Sequence, residues 1–118
     1  MVFCSLIAAT TGTAYSQEIS IICTDPNGSY FSAVRGERVD CYVYASELTP
    51  DGPGHAIVTD PHGKTVISMT VDQSGPTLVS FIAKKAGIYE ITATWLVDGQ
   101  PHSAVGHITV LKKHETIP

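Results

Sequence analysis

Histidine, cysteine and aspartate are the residue types in this 118-residue chain with chemistry to offer. The histidines are His55, His62, His102, His107 and His114. No two have the His-x-His or His-x-x-x-His spacing that puts both imidazoles of a zinc site on one strand or helix. His55 and His107 are the pair to pursue. They lie in separate strand-like runs and share outward parity, so two imidazoles flanking one intervening strand would offer nitrogen ligands for copper or zinc. Ile57, Leu96 and Val105 are expected to surround them. A blue-copper centre needs Cys, His and Met together, and Met69 is the only methionine after the first residue. Scattered surface imidazoles are the competing reading, and the balance of these ligand rules favours it: no cofactor is expected.

Asp25, Asp51, Asp60 and Asp98 all stand in Gly- or Pro-rich stretches. Gathered at one end of a domain they would offer oxygen ligands to calcium, but the spacing matches no calcium loop. Turn formation explains all four, because a short carboxylate side chain hydrogen-bonds the backbone two residues on. There is no Gly-x-Ser-x-Gly elbow, no His-Glu-x-x-His and no phosphate loop. The expectation is a chain without catalytic activity.

Cys4, Cys23 and Cys41 complete the set. Cys4 falls in a run from Met1 to Ser16 that is apolar or small, carries no charge and ends Ala14-Tyr15-Ser16. That is the outline of a secretory signal peptide, though no basic residue precedes the apolar stretch. The run is too short to cross a bilayer. Its removal would leave Cys23 and Cys41, an even count in a chain that would be oxidised outside the cell. Both face inward by alternation on runs expected to be neighbours, so a Cys23–Cys41 disulfide is expected. Two buried thiols packing as small hydrophobes are the alternative.

These residues need elements to hold them, and the pattern that recurs is alternation. From Ile88, the residues Tyr89, Ile91, Ala93, Trp95 and Val97 point one way, and Glu90, Thr92 and Thr94 the other. A period of two over this length reads as a strand with one buried face. Glu18–Thr24 alternates as well, with Ile19, Ile21 and Cys23 inward. So does Arg38–Ser46, with Val39, Cys41, Val43 and Ala45 inward and Asp40, Tyr42 and Tyr44 outward. Shorter strands are expected over 55–60, 65–71, 77–83 and 103–111, with 29–34 continuing the first as a half-strand along its edge. Asp25-Pro-Asn-Gly28 and Pro61-His-Gly-Lys64 are turns, and Asp98-Gly99 between two strand-like runs is a hairpin signal. No stretch keeps helical periodicity over three turns. The expected fold is all-β, a sandwich of about seven antiparallel strands in two sheets, with a closed barrel as the alternative. Val39, Val43, Phe81, Ile91, Trp95, Ile108 and Val110 are the expected core. One domain over 17–112 is expected, with a polar tail over 113–118.

Ala86-Gly-x-Tyr89-x-Ile91 resembles the start of strand F in immunoglobulin-like domains, where a Gly and then a Tyr form the tyrosine corner. The resemblance places Tyr89 as the corner residue and Ile91 where antibody-type domains carry the second core cysteine. Cys41 then matches the strand-B cysteine and needs a different partner. The strand-C tryptophan of antibody domains is missing, and Trp95 lies on strand F instead. The closer likeness is to filamin-type and other non-antibody immunoglobulin-like or fibronectin-III-like repeats. It is carried by Gly52-Pro-Gly-His-Ala-Ile-Val58, Asp60-Pro-His-Gly63, Ala86-Gly-Ile-Tyr89, Asp98-Gly99 and Ile108-Thr-Val110 in that order, and covers about 39–111.

A formal charge of −4 without a basic stripe argues against nucleic acid and against an anionic membrane surface. The expectation is a secreted or cell-surface binding module, with no membrane insertion of the mature domain. Its partner would be a protein or a glycan, held by one sheet face or by the loop 47–54. Tyr42, Tyr44, Leu96 and His107 are the candidate binding surface, because exposed tyrosines are favoured at interfaces. A metal-handling domain using His55 and His107, and an accessory subunit of a larger complex, are the rivals.

Overall fold

The computed structural model describes residues 19–112. Both the expected signal segment and the tail 113–118 lie outside them. Eight strands follow in order: β1 Ser20–Thr24, β2 Ser32–Val34, β3 Arg38–Tyr44, β4 Gly54–Thr59, β5 Thr65–Val71, β6 Thr77–Ile82, β7 Gly87–Val97 and β8 Gln100–Leu111. They form a three-stranded sheet, β1-β3-β6, and a five-stranded sheet, β2-β8-β7-β4-β5. The chain is an all-β, immunoglobulin-like sandwich, and no helix occurs among the described residues.

Alternation fixes which side of each strand is buried. In β7 the inward row Tyr89, Ile91, Ala93 and Trp95 is buried, and it meets Val39, Cys41, Val43, Val79 and Phe81 of the opposite sheet in one core. Burying each large side chain of this kind contributes roughly 1.5–3 kcal/mol. The Phe81 and Tyr89 rings stack across the two sheets, with centroids 5.4 Å apart. Trp95 is the largest buried side chain, and its indole N–H donates to the Asp72 carbonyl at 3.0 Å, so its one polar group is satisfied. Ile108 and Val110 are buried from β8.

The first edge differs from the sequence expectation. Residues 32–34 do not extend β1; they cross to the other sheet and pair parallel with β8 through Ser32↔Thr109 and Val34↔Leu111. The crossing is made at Phe31, whose N–H donates to Cys23 of β1 and whose carbonyl accepts from Thr109 of β8. Phe31 takes a φ of 59° to do so. That conformation costs a bulky residue about 1–2 kcal/mol, and the two ladders it joins hold it there. A three-residue strand carries too little periodicity to announce which sheet it joins.

The two Asp-Pro-x-Gly turns are built alike. Asp25 Oδ1 accepts from Asn27 N–H at 2.9 Å and Ser29 N–H at 2.8 Å. Asp60 Oδ1 accepts from His62 N–H at 2.8 Å and Lys64 N–H at 3.0 Å. In both, the glycine N–H closes back on the aspartate carbonyl, and Gly28 and Gly63 hold φ of 88° and 83°. Three of the four turn aspartates are thus occupied by backbone: besides Asp25 and Asp60, Asp51 accepts from Asp98 N–H and Gly99 N–H at 2.8 and 2.9 Å, pinning the loop 47–54 to the β7–β8 hairpin. Those two N–H groups, Gly99 first, lower the Asp51 pKa. Asp98 and Gly99 both have positive φ, as a tight hairpin turn requires.

Candidate binding surfaces

Cys23 and Cys41 sit directly opposite each other on β1 and β3 and are joined by a disulfide. Both are wholly buried. Tyr89 is buried, and its hydroxyl accepts from Lys85 N–H at 3.0 Å, the bond back to upstream backbone that defines a tyrosine corner.

His55 and His107 do share the outer face of the five-stranded sheet, but the structure does not bring them together, and this corrects the metal reading. His55 on β4 is opposite Thr94, whereas His107 on β8 is opposite Glu90. The offset is four residues along β7 and two strand spacings across it, about 16 Å in all. Ligands of one copper or zinc ion each stand about 2 Å from it. Each ring has its own neighbour: His55 Nε2 lies 2.8 Å from Ser68 Oγ, and His107 Nε2 lies 3.2 Å from Glu90 Oε2. Among the described residues no three His, Cys, Asp or Glu gather as a metal site.

The four candidate surface residues fall on two opposite faces. Leu96 and His107 are on the outside of the five-stranded sheet with Ile57 and Val105. Tyr42 and Tyr44 are on the outside of the three-stranded sheet, where Tyr44 is half-buried beside Leu48 and Pro50.

Around Tyr42 the register assembles a row that sequence reasoning missed. Ile22 of β1 and Leu78 of β6 are its direct partners on either side. The three are 45%, 49% and 46% exposed in the order Ile22, Tyr42, Leu78. They span the full width of the sheet on its solvent face. Tyr30, 69% exposed, bridges to Thr24 and so stands on the same face, about 12 Å from Tyr42 by strand geometry. The available signal was that Ile22, Tyr42 and Leu78 occupy outward parity, where a solvated sheet usually carries polar residues.

A groove opens at the side of the sandwich where β5 and β6 face each other. β6 ends the three-stranded sheet and β5 ends the five-stranded one, so among the described residues each has one flank without a neighbouring strand. Lys64, Lys84, Lys85 and Asp60 are among the residues that line it. Lys85 Nζ is 3.0 Å from Asp60 Oδ2, and the Asp60 carboxylate is nearly buried. The Lys64 N–H, with the Lys85 ammonium and the His62 N–H, holds the Asp60 pKa down at about 2 against the opposing pull of desolvation.

No protein-family description matches the sequence, and no curated protein does. Among solved structures, the PmoD soluble domain from Methylocystis sp. ATCC 49242 (Rockwell) superposes with a TM-score of 0.63 at 17% identity, over 81% of this chain and 94% of that one. A chitin binding domain from Burkholderia pseudomallei gives 0.46 at 14% identity, over 67% of this chain and 56% of that one. The CARDB domain of the PF1109 protein from Pyrococcus furiosus gives 0.45 at 12% identity, over 81% and 94%. At 17% identity, the likeness to the first of these speaks to the sandwich fold alone.

Proposed function

We propose that this chain is a secreted or cell-surface binding module without catalytic activity of its own, and that it docks a protein partner on the outer face of its three-stranded sheet. The observation that carries the reading is the row Ile22–Tyr42–Leu78, three half-exposed apolar side chains in register across every strand of one sheet. A rigid aromatic with a polar tip, flanked by aliphatic side chains, is the make-up of an interface centre. The buried Cys23–Cys41 disulfide supports an oxidising compartment, and with it the reading of 1–16 as a leader and 17–112 as the working domain. The filamin-type affinity inferred from 39–111 belongs to this reading too, and so does service as an accessory subunit, since docking on a larger complex would use such a face.

A glycan is the second reading, favoured by the presence of Tyr30 and Tyr42 on one face. Aliphatic Ile22 lies between them, which suits a protein side chain better than a sugar ring.

Photo-crosslinking in the cells that make the protein tests this. A benzophenone side chain at position 42 is expected to give a discrete polypeptide adduct that the same group at Val105, on the opposite face, does not give. A carbohydrate adduct at 42 would move the assignment to the glycan. Equal adducts at both positions, or none at 42, would overturn the surface.

A further inference from the structure

The flank of β6 has the features of a sheet waiting for a strand. Ala83 turns its N–H and carbonyl toward the β2–β3 side, donating to Glu37 and accepting from Gly36. Backbone groups in an antiparallel ladder alternate in direction, so those of Leu78, Ser80 and Ile82 point out to the open side. Exposed edges of this kind are usually blunted with charge, proline or a covering loop. Neither β6 (Thr-Leu-Val-Ser-Phe-Ile) nor β5 (Thr-Val-Ile-Ser-Met-Thr-Val) contains a charged residue, a proline or a glycine.

The core is also incompletely covered there. On the inward face of β5, Val71 is fully buried, but Ile67 and Met69 are only partly so. They lie on the strand that extends the larger sheet beyond its neighbour, and among the described residues no strand past β6 faces them. Charge then restricts the occupant. Three of the seven Lys and Arg of a chain with net charge −4 stand around this one groove. Its one carboxylate, Asp60, is already paired with Lys85, and the side chains of Lys64 and Lys84 have no carboxylate partner among the described residues.

We propose that the open flank of β6 accepts an extended acidic segment of a partner polypeptide as a fourth strand of the smaller sheet. The added strand would satisfy the outward backbone groups of Leu78, Ser80 and Ile82. Its alternate apolar residues would cover Ile67 and Met69, and its carboxylates would meet Lys64 and Lys84. This site uses the backbone edge of β6 and meets the Tyr42 face only at Leu78, whose side chain belongs to that face; the peptide test here does not depend on the outcome of crosslinking at Tyr42.

The probe is an acetylated octapeptide alternating valine and aspartate, titrated into the full chain at low salt. Amide hydrogen exchange is expected to slow at least tenfold at Leu78, Ser80 and Ile82 and to stay unchanged on β1. K64E/K84E is expected to raise the dissociation constant about tenfold or more, and added salt to weaken wild-type binding. A peptide N-methylated along one edge is expected not to bind, a control that needs no folding of a variant. Equal binding by a valine–lysine peptide would overturn the proposal. So would binding without protection of β6 amides, which marks a plain ionic site. Concentration-dependent protection of the same amides without peptide would assign the flank to a second copy and overturn it as well.

Discussion

Lys85 leaves the β6–β7 link to place its ammonium 3.0 Å from the Oδ2 of Asp60, a carboxylate that is otherwise nearly closed to water. The other oxygen of the same carboxylate holds the β4–β5 turn through His62 and Lys64. One side chain thus ties a turn of the five-stranded sheet to the link that leaves the three-stranded sheet, and the backbone N–H of the same Lys85 donates to the Tyr89 hydroxyl. The Asp60 pKa falls from the ordinary value of 3.8 to about 2, so the folded state binds this proton less readily than the unfolded chain does. The stability it contributes is fully present above about pH 4 and is lost as pH falls toward 2. D60N is expected to be less stable than wild type at neutral pH, with the gap closing between pH 4 and 2. Urea unfolding at a series of pH values reads this directly; a gap that persists unchanged at pH 2 would remove Asp60 from the acid response.

The twin turn at Asp25 separates the role of the acceptor from the role of the charge. Asp25 accepts the two equivalent backbone N–H groups, but among the described residues no lysine pairs with it. D25A leaves both donors without their partner and is expected to cost about 1–2 kcal/mol. D25N keeps an oxygen acceptor in place and is expected to recover most of that loss. At position 60 the asparagine should recover less, because Lys85 loses its counter-charge. Thermal or urea denaturation of D25A, D25N, D60A and D60N checks the ordering, and equal recovery by asparagine at both positions would contradict it.

Much of this was legible in the chain because strand periodicity and turn chemistry are local. The alternation of Tyr89, Ile91, Ala93 and Trp95 identifies the buried face of β7, and Asp98-Gly99 identifies the hairpin, since both act through neighbouring residues. Register is not local. That Ile22 and Leu78 flank Tyr42 depends on how three strands far apart in sequence align, and a shift of two residues would keep every inward residue inward while dispersing the row. The same limit governed the histidines: parity correctly placed His55 and His107 on one face, but said nothing of the four-residue offset that separates them. The crossing of β2 depended on a positive φ at Phe31, which aromatic residues rarely adopt and no pattern announces.

Gly54 opens β4 against the indole of Trp95. A Cβ at position 54 would stand 2.6 Å from the Thr94 carbonyl oxygen and 2.8 Å from ring carbons of Trp95. Neither neighbour is free to give way: the first is strand backbone, and the second is buried with its N–H bonded to Asp72. G54A is therefore expected to destabilise by about 1–3 kcal/mol, as overpacking does in a dense interior. G52A, whose Cβ would meet nothing within 4 Å, is the control and is expected to be close to neutral. Tryptophan fluorescence during unfolding measures both, and a G54A midpoint equal to wild type would mean that β4 does not seat on Trp95 as described.

The Cys23–Cys41 bond closes a segment of 18 residues, which includes both the Asp25 turn and the Phe31 crossing. Chain-entropy arguments assign a link of that length about 3 kcal/mol, acting through the unfolded state. The two sulfur-bearing side chains are fully buried, so a reductant in solution meets them only when the sandwich opens. Native protein is expected to keep the bond under dithiothreitol at neutral pH and to lose it in urea, with the loss tracking the unfolding transition. C23A/C41A is expected to fold with a lowered midpoint and to show no response to reductant. Intact mass after alkylation under native and denaturing conditions distinguishes the states. Rapid alkylation of both cysteines in the untreated native protein would show that the bond is not formed, and the case for an oxidising compartment would lose its structural support.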